Sequence, residues 1–78
     1  MDIEEFNCFV GKRIKQARLD AGLSAQVLGE ILGLSVKSAR IKIYQIESGN
    51  SGVDFSRIVI IAKATGKSLY FFTGDYLQ

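Results

Sequence analysis

The side chains with the richest binding chemistry gather between Lys37 and Ser48. Lys37, Arg40 and Lys42 are cations, Gln45 carries an amide that can donate and accept together, Tyr44 adds an aromatic hydroxyl and Ser48 a small one. Ala39, Ile43 and Ile46 fall at i, i+4 and i+7, the inward stripe of a helix. The face opposite that stripe carries Lys37, Ile41, Tyr44, Gln45 and Ser48, with Arg40 and Lys42 on its flanks. Cations, an amide and an aliphatic branch on one narrow rod match the donors, acceptors and methyl groups that line the major groove of duplex DNA. Catalysis finds little here. The chain has no histidine, one cysteine and no cluster of carboxylates, so neither metal binding nor nucleophilic attack is expected, and no cofactor.

A rod of this kind needs a frame. Ser24 is a good N-cap, and Leu28 and Leu32 behind it lie one turn apart on one face, so a helix begins there and stops at Gly33. The next helix starts at either Ser35 or Ser38 and ends at Gly49, where only glycine takes a left-handed conformation without cost. A helix-turn-helix therefore spans about 24–48. Upstream, Asp2 with Glu5 resembles a capping box, and Ile3, Phe6, Val10, Ile14, Ala17 and Ala21 recur at helical spacing. The first helix is expected from about Ile3 to Asp20. Gly11 interrupts it at a cost of ~1 kcal/mol relative to alanine, and a restart near Asn7 is the alternative.

Downstream, Asp54 caps a fourth helix that carries Phe55, Ile58, Val59, Ile61 and Ala62. The run Ile58 to Ala62 alone reads as a buried strand, but the cap and the stop at Gly66 favour a helix. Ser68 caps a short fifth helix through Leu69, Tyr70, Phe71 and Phe72, closed by Gly74. Four large apolar residues in a row exceed what one side of a short helix buries. With Tyr76 and Leu77 they point to a second protomer, since exposed apolar patches mark interfaces. Packing of the aromatics within one chain is the alternative.

Seventy-eight residues allow one domain, 1–78, with a modest core, and the apolar spacing and absence of proline favour an all-α fold. Cys8 alone cannot form an intramolecular bridge, so a reducing cytoplasm is the expected compartment and a half-buried place on the first helix the plain reading of the residue. No apolar run approaches the ~18 residues of a membrane span, and no signal-peptide pattern opens the chain. The net charge of +2 is small, but its distribution is not even. Residues 1–11 carry three acids and no base, residues 12–42 seven bases and two acids, and residues 43–78 three of each. The positive field lies over the first helix and the helix-turn-helix, where phosphates would dock. Lys12, Arg13 and Lys15, off the apolar stripe, read first as solvated charge.

Val10-Gly11-Lys12-Arg13-Ile14-Lys15, Arg18, Gly22-Leu23-Ser24, Leu28-Gly29-Glu30, Leu32-Gly33, Ile46-Glu47-Ser48-Gly49 and the run Ile61 to Leu69 resemble, in order and with few gaps, the phage-repressor and Cro-like helix-turn-helix proteins of the Xre family. The resemblance covers Val10 to about Phe72. It implies a five-helix, lambda-repressor-like DNA-binding domain with a lengthened connection between helices 2 and 3. The thirteen residues between Gly33 and Glu47 are about one helical turn more than most members use. Leu34 and Val36 would then fold over Val27 and Ile31, which stand where relatives expose charge.

The resemblance also assigns roles. Arg18 would pair with Glu47 and pin helix 1 to helix 3. Arg40, Ile41, Tyr44 and Gln45 take the base-reading positions: arginine suits guanine, glutamine suits adenine, and isoleucine suits a thymine methyl. Ile41 and Tyr44 alternatively belong to a core or dimer contact. Lys37, Ser38 and Lys42 would meet phosphate, as would Gln26, one place beyond the family's usual glutamine at the start of helix 2. Asn50 and Ser51, in the turn from Ser48 to Gly52, would lie against the DNA backbone or serve as a plain linker. Phe71, Phe72, Tyr76 and Leu77 would join two copies over a palindromic site on double-stranded DNA. The implied function is a sequence-specific transcriptional regulator, a repressor of phage, controller or antitoxin type, in a bacterial or phage-encoded setting. A protein-interaction module that keeps the fold is the alternative.

Overall fold

The computed structural model describes residues 2–74, which leaves Tyr76 and Leu77 outside the described residues. Five α-helices follow one another: α1 (Ile3–Asp20), α2 (Ala25–Ile31), α3 (Ala39–Glu47), α4 (Phe55–Thr65) and α5 (Leu69–Thr73). The fold is the all-α, five-helix arrangement expected of a lambda-repressor-like domain. Four of the starts are set by side chains that satisfy an otherwise unpaired amide of the first turn. Asp2 accepts from Glu5 N at 2.8 Å, Ser24 from Val27 N at 3.0 Å, Asp54 from Arg57 N at 2.9 Å and Ser68 from Phe71 N at 3.3 Å. The Arg57 amide, with help from the Ser56 hydroxyl, holds the Asp54 carboxyl below its ordinary value.

α1 runs through Gly11 without a restart, and the glycine has a reason to be there. A Cβ at Gly11 would lie 2.6 Å from the carbonyl oxygen of Glu47, so its absence lets α1 press directly on the backbone of α3. Gly29 does the same between α2 and α3, where a Cβ would stand 2.6 Å from that of Ala39. Gly11→Ala thus sets a gain in helix propensity of ~1 kcal/mol against an overpacking cost of ~1 to 3 kcal/mol. Backbone carbonyls cannot swing aside as side chains can, so the clash wins. We expect a net loss of about 1 to 2 kcal/mol in urea unfolding; a variant as stable as the parent would mean that the two helices separate freely.

The core is built from Val10, Ile14 and Ala17 of α1, Leu28 of α2, Ile43 and Ile46 of α3, Ile58 and Ile61 of α4, and Phe72 of α5. The inward stripe of α3 is as its spacing predicts: Ala39, Ile43 and Ile46 are all buried. The ends of other stripes overshoot. Ile3, Ala21 and Phe55, at or just past helix ends, are exposed. Cys8 is exposed rather than half-buried; its Sγ lies 3.8 Å from Ser48 O, beside the left-handed Gly49.

Phe72, assigned above to a dimer contact, is instead fully enclosed, at 0% exposure. A five-residue helix can aim only one of its aromatics inward, and the phase of α5 selects this one. Phe71 is half-buried and braced by two cations, with the Arg13 guanidinium 5.1 Å and the Lys67 ammonium 4.8 Å from its ring centroid. Arg13 also lies 5.0 Å from the Phe9 ring, so it is a packing element between α1 and α5 rather than simple solvated charge. Lys67 reaches on to Asp20 at 3.0 Å, and that ammonium, with the Gln16 amide, holds the Asp20 carboxyl below its ordinary value.

Candidate nucleic-acid interface

The connection between α2 and α3 decides how the polar face is presented. Of the two starts left open above, the structure adopts the later one: Ser38 precedes α3, and residues 34–38 form a long turn. Ser38 makes no side-chain cap. Its hydroxyl pairs with that of Ser35 at 2.7 Å, while the amides of Ser38 and Ala39 both donate to Ser35 O, at 3.1 and 2.9 Å. Leu34 packs on the core, but Val36 does not cover Val27 and Ile31. All three are exposed, and Val36 is 69% exposed. The Val36 carbonyl, not its side chain, is what meets α2, through Gln26 Nε2 at 2.9 Å.

α3 is held from behind by a buried ion pair. Arg18 Nε donates to Glu47 Oε2 at 2.7 Å and Nη2 to Oε1 at 3.1 Å, a two-pronged contact that fixes orientation as well as distance. The third branch, Nη1, donates to Leu23 O at 3.1 Å, so one guanidinium ties together α1, the approach to α2 and the end of α3. The hydrogen bond to Glu47 raises Arg18 above its ordinary value, against the burial that opposes it. Among the described residues no buried side-chain nitrogen or oxygen lacks a partner.

With its back fixed, α3 turns Arg40, Ile41, Tyr44 and Gln45 to solvent, Ile41 at 56% and Tyr44 at 51% exposure. The alternative of Ile41 and Tyr44 as parts of the core is therefore excluded. Lys37 and Lys42 are exposed as well. Arg40, Ile41, Tyr44, Gln45, Lys37 and Lys42 thus lie within one helix and the turn that leads into it, a surface of four side chains that can read edges and two that can meet anions.

Three further assignments change in detail. Gln26 is committed to its own chain: Nε2 donates to Glu30 Oε2 at 2.8 Å and to Val36 O at 2.9 Å, so both of its N–H groups are spent and what remains is an acceptor, the wrong polarity for phosphate. Ser38 is half-buried with its hydroxyl engaged. The amides of Asn50 and Ser51 both donate to Gln45 O, at 3.0 and 3.2 Å, and close the end of α3; only the exposed side chains of that turn face outward. Reading the sequence also missed Val36 as an outward residue, and missed Leu69 and Tyr70 as the exposed face of α5, Tyr70 at 58%. Once Phe72 is enclosed, a short helix must send Tyr70, two residues earlier, outward, but four consecutive apolar residues carry no signal for which of them is enclosed.

No helix of the described residues is long and apolar enough to cross a membrane. The chain is similar to an uncharacterized HTH-type transcriptional regulator of Rickettsia conorii, 32% identical over 73 residues that make up 92% of this chain and 55% of that protein. A second relative, an uncharacterized HTH-type transcriptional regulator of Rickettsia prowazekii, is 30% identical over 73 residues, 92% of this chain and 53% of that protein. The chain thus spans about half the length of these curated relatives. No solved structure matches it significantly. The helix-turn-helix family model matches residues 14–72, from Ile14 in the middle of α1 to Phe72 in α5, and so takes in both helices of the braced pair and the arginine that secures them: the chain belongs to the helix-turn-helix family.

Proposed function

We propose that the chain is a sequence-specific binder of double-stranded DNA that acts as a transcriptional regulator of the Xre, Cro-like type, by occupancy rather than by catalysis. The observation that carries this reading is the outward row of Arg40, Ile41, Tyr44 and Gln45 on a helix fixed from behind by the Arg18–Glu47 pair. The naming of the two relatives as HTH-type transcriptional regulators supports it. In this reading Arg40 contacts guanine and Gln45 adenine, while Lys37, Lys42 and the side chains of Asn50 and Ser51 meet phosphate. Two copies join through the exposed side of α5, Leu69 and Tyr70, and bind a palindromic operator in the cytoplasm as a repressor of phage, controller or antitoxin type.

Selection of sites from random duplexes tests the whole reading, because a twofold-repeated site reports base preference and pairing of copies together. Gln45→Ala is expected to relax preference at one base pair of each half-site. Lys37→Ala is expected to weaken all sequences alike and to lower the slope of log affinity against log salt by about 1. The exposed apolar pair Val27 and Ile31 favours a second reading, a protein-interaction module that retains the fold. A folded dimer with no salt-dependent affinity for duplex DNA would decide for it.

A further inference from the structure

We propose that the long turn is itself a reading element, in which Val36 contacts the 5-methyl group of a thymine and Gln26 is the positioning residue that holds it there. The inference rests on the DNA-binding function proposed above. Val36 is an aliphatic side chain on a turn, 69% exposed and outside the core, while Leu34 two residues earlier is packed on the core. It is not presented on loose backbone. Its carbonyl accepts from Gln26 Nε2 at 2.9 Å, the same nitrogen is anchored by Glu30 Oε2 at 2.8 Å, and the far side of the turn is closed by the Ser35–Ser38 hydroxyl pair at 2.7 Å. Gln26 belongs to the first turn of α2 and Ala39 opens α3, so the brace draws Val36 in beside the beginnings of both helices.

The chemistry of the neighbours says what occupies it. Lys37 follows immediately and Arg40 and Lys42 lie just beyond, all exposed, so a partner at Val36 must be polyanionic around an apolar spot. Duplex DNA offers that combination: phosphates on the rim and thymine methyl groups on the floor of the major groove. A valine, held to few rotamers by its branched Cβ, gives such a methyl a rigid surface at little entropic cost. The role also accounts for Gln26, whose donors are turned inward to the turn.

The experiment uses the site that the wild-type chain selects from random duplexes, with each thymine replaced in turn by deoxyuridine, which lacks only the 5-methyl group. At one thymine of each half-site the wild type should lose about fourfold in affinity, the ~0.8 kcal/mol of a buried methyl group. Val36→Ala should lose nothing more at that position, whereas Ile41→Ala should keep the penalty there. Gln26→Leu, which removes both donors, should abolish the penalty without shifting the thermal midpoint beyond that of a surface change, and Gln26→Lys, which can still donate to Val36 O and Glu30, should restore it. Val36→Ala that keeps the wild-type penalty at every thymine overturns the proposal, as does a selected site without thymine. Failure of the wild type to select any site is a separate outcome: it removes the DNA-binding reading and this inference with it.

Discussion

Arg18→Ala is expected to destabilise the domain by about 3 to 5 kcal/mol, a large part of the 5 to 15 kcal/mol that holds a typical small domain together. The loss does not come from the Coulomb attraction of the pair, which desolvation largely offsets. It comes from what remains: Glu47, buried, would keep a carboxylate with both of its guanidinium contacts gone, and Leu23 O would lose its donor. Urea unfolding measures it, and an unchanged midpoint would show that the pair contributes nothing. The double change Arg18→Met with Glu47→Met removes both charges and keeps much of the volume, so most of the stability is expected to return. Preference among DNA sequences is not expected to return with it, because two thioethers fill space without fixing the angle of α3. A double variant with the wild-type preference would make the pair a matter of stability alone.

Phe72→Ala should cost a similar ~3 to 5 kcal/mol, and the loss should be the same at every protein concentration. The ring is fully enclosed by its own chain and meets Phe71 edge-on at a centroid distance of 5.3 Å, so truncation leaves a cavity in one molecule rather than a gap between two. Leu69→Ser is the contrasting change. It removes an apolar group from the outer side of α5 and, in a chain that pairs through that side, should shift the dimer equilibrium in sedimentation without comparable loss in the monomer. A Phe72→Ala deficit that fades as concentration rises would return this residue to an interface.

The contrast between these two residues shows what was legible in the sequence. Spacing and caps are local, and they marked four helix starts, at Asp2, Ser24, Asp54 and Ser68, while the left-handed Gly33, Gly49 and Gly66 mark stops; the start of α3, open between Ser35 and Ser38, has no such cap. Spacing also selects the buried side of a helix long enough to have a clear stripe, as in α3. It fails in α5, where Leu69, Tyr70, Phe71 and Phe72 are all apolar and the packing of the helix on α1 and α4 decides which is enclosed. Gly11 meets the same limit: its place inside one continuous α1 was legible, but the reason for it was not. Its cost to the helix is local and visible, while its benefit, the approach to Glu47 O, belongs to a partner 36 positions away.

For the candidate interface the limit was register. The outward face of α3 followed from its inward stripe, but the turn before it has no periodicity to read. Whether Gln26 points to a ligand or to the carbonyl of Val36 depends on where a non-repeating turn happens to bring that carbonyl. The Arg18–Glu47 contact followed from likeness to relatives and from nothing in the two residues themselves, since 29 positions separate them and neither lies in a local pattern.

α1 touches both ends of the proposed mechanism. Near its middle, Arg13 grips the Phe71 side of α5; within two further turns, Arg18 grips α3. In an assembly of two copies joined at α5, this helix becomes the axle between the seam and each reading rod, and the separation of the two rods is set by its pitch. One alanine inserted after Lys15 would rotate one grip against the other by about 100°. The spacing between half-sites along the DNA would then be written in a helix that touches none of the bases it spaces.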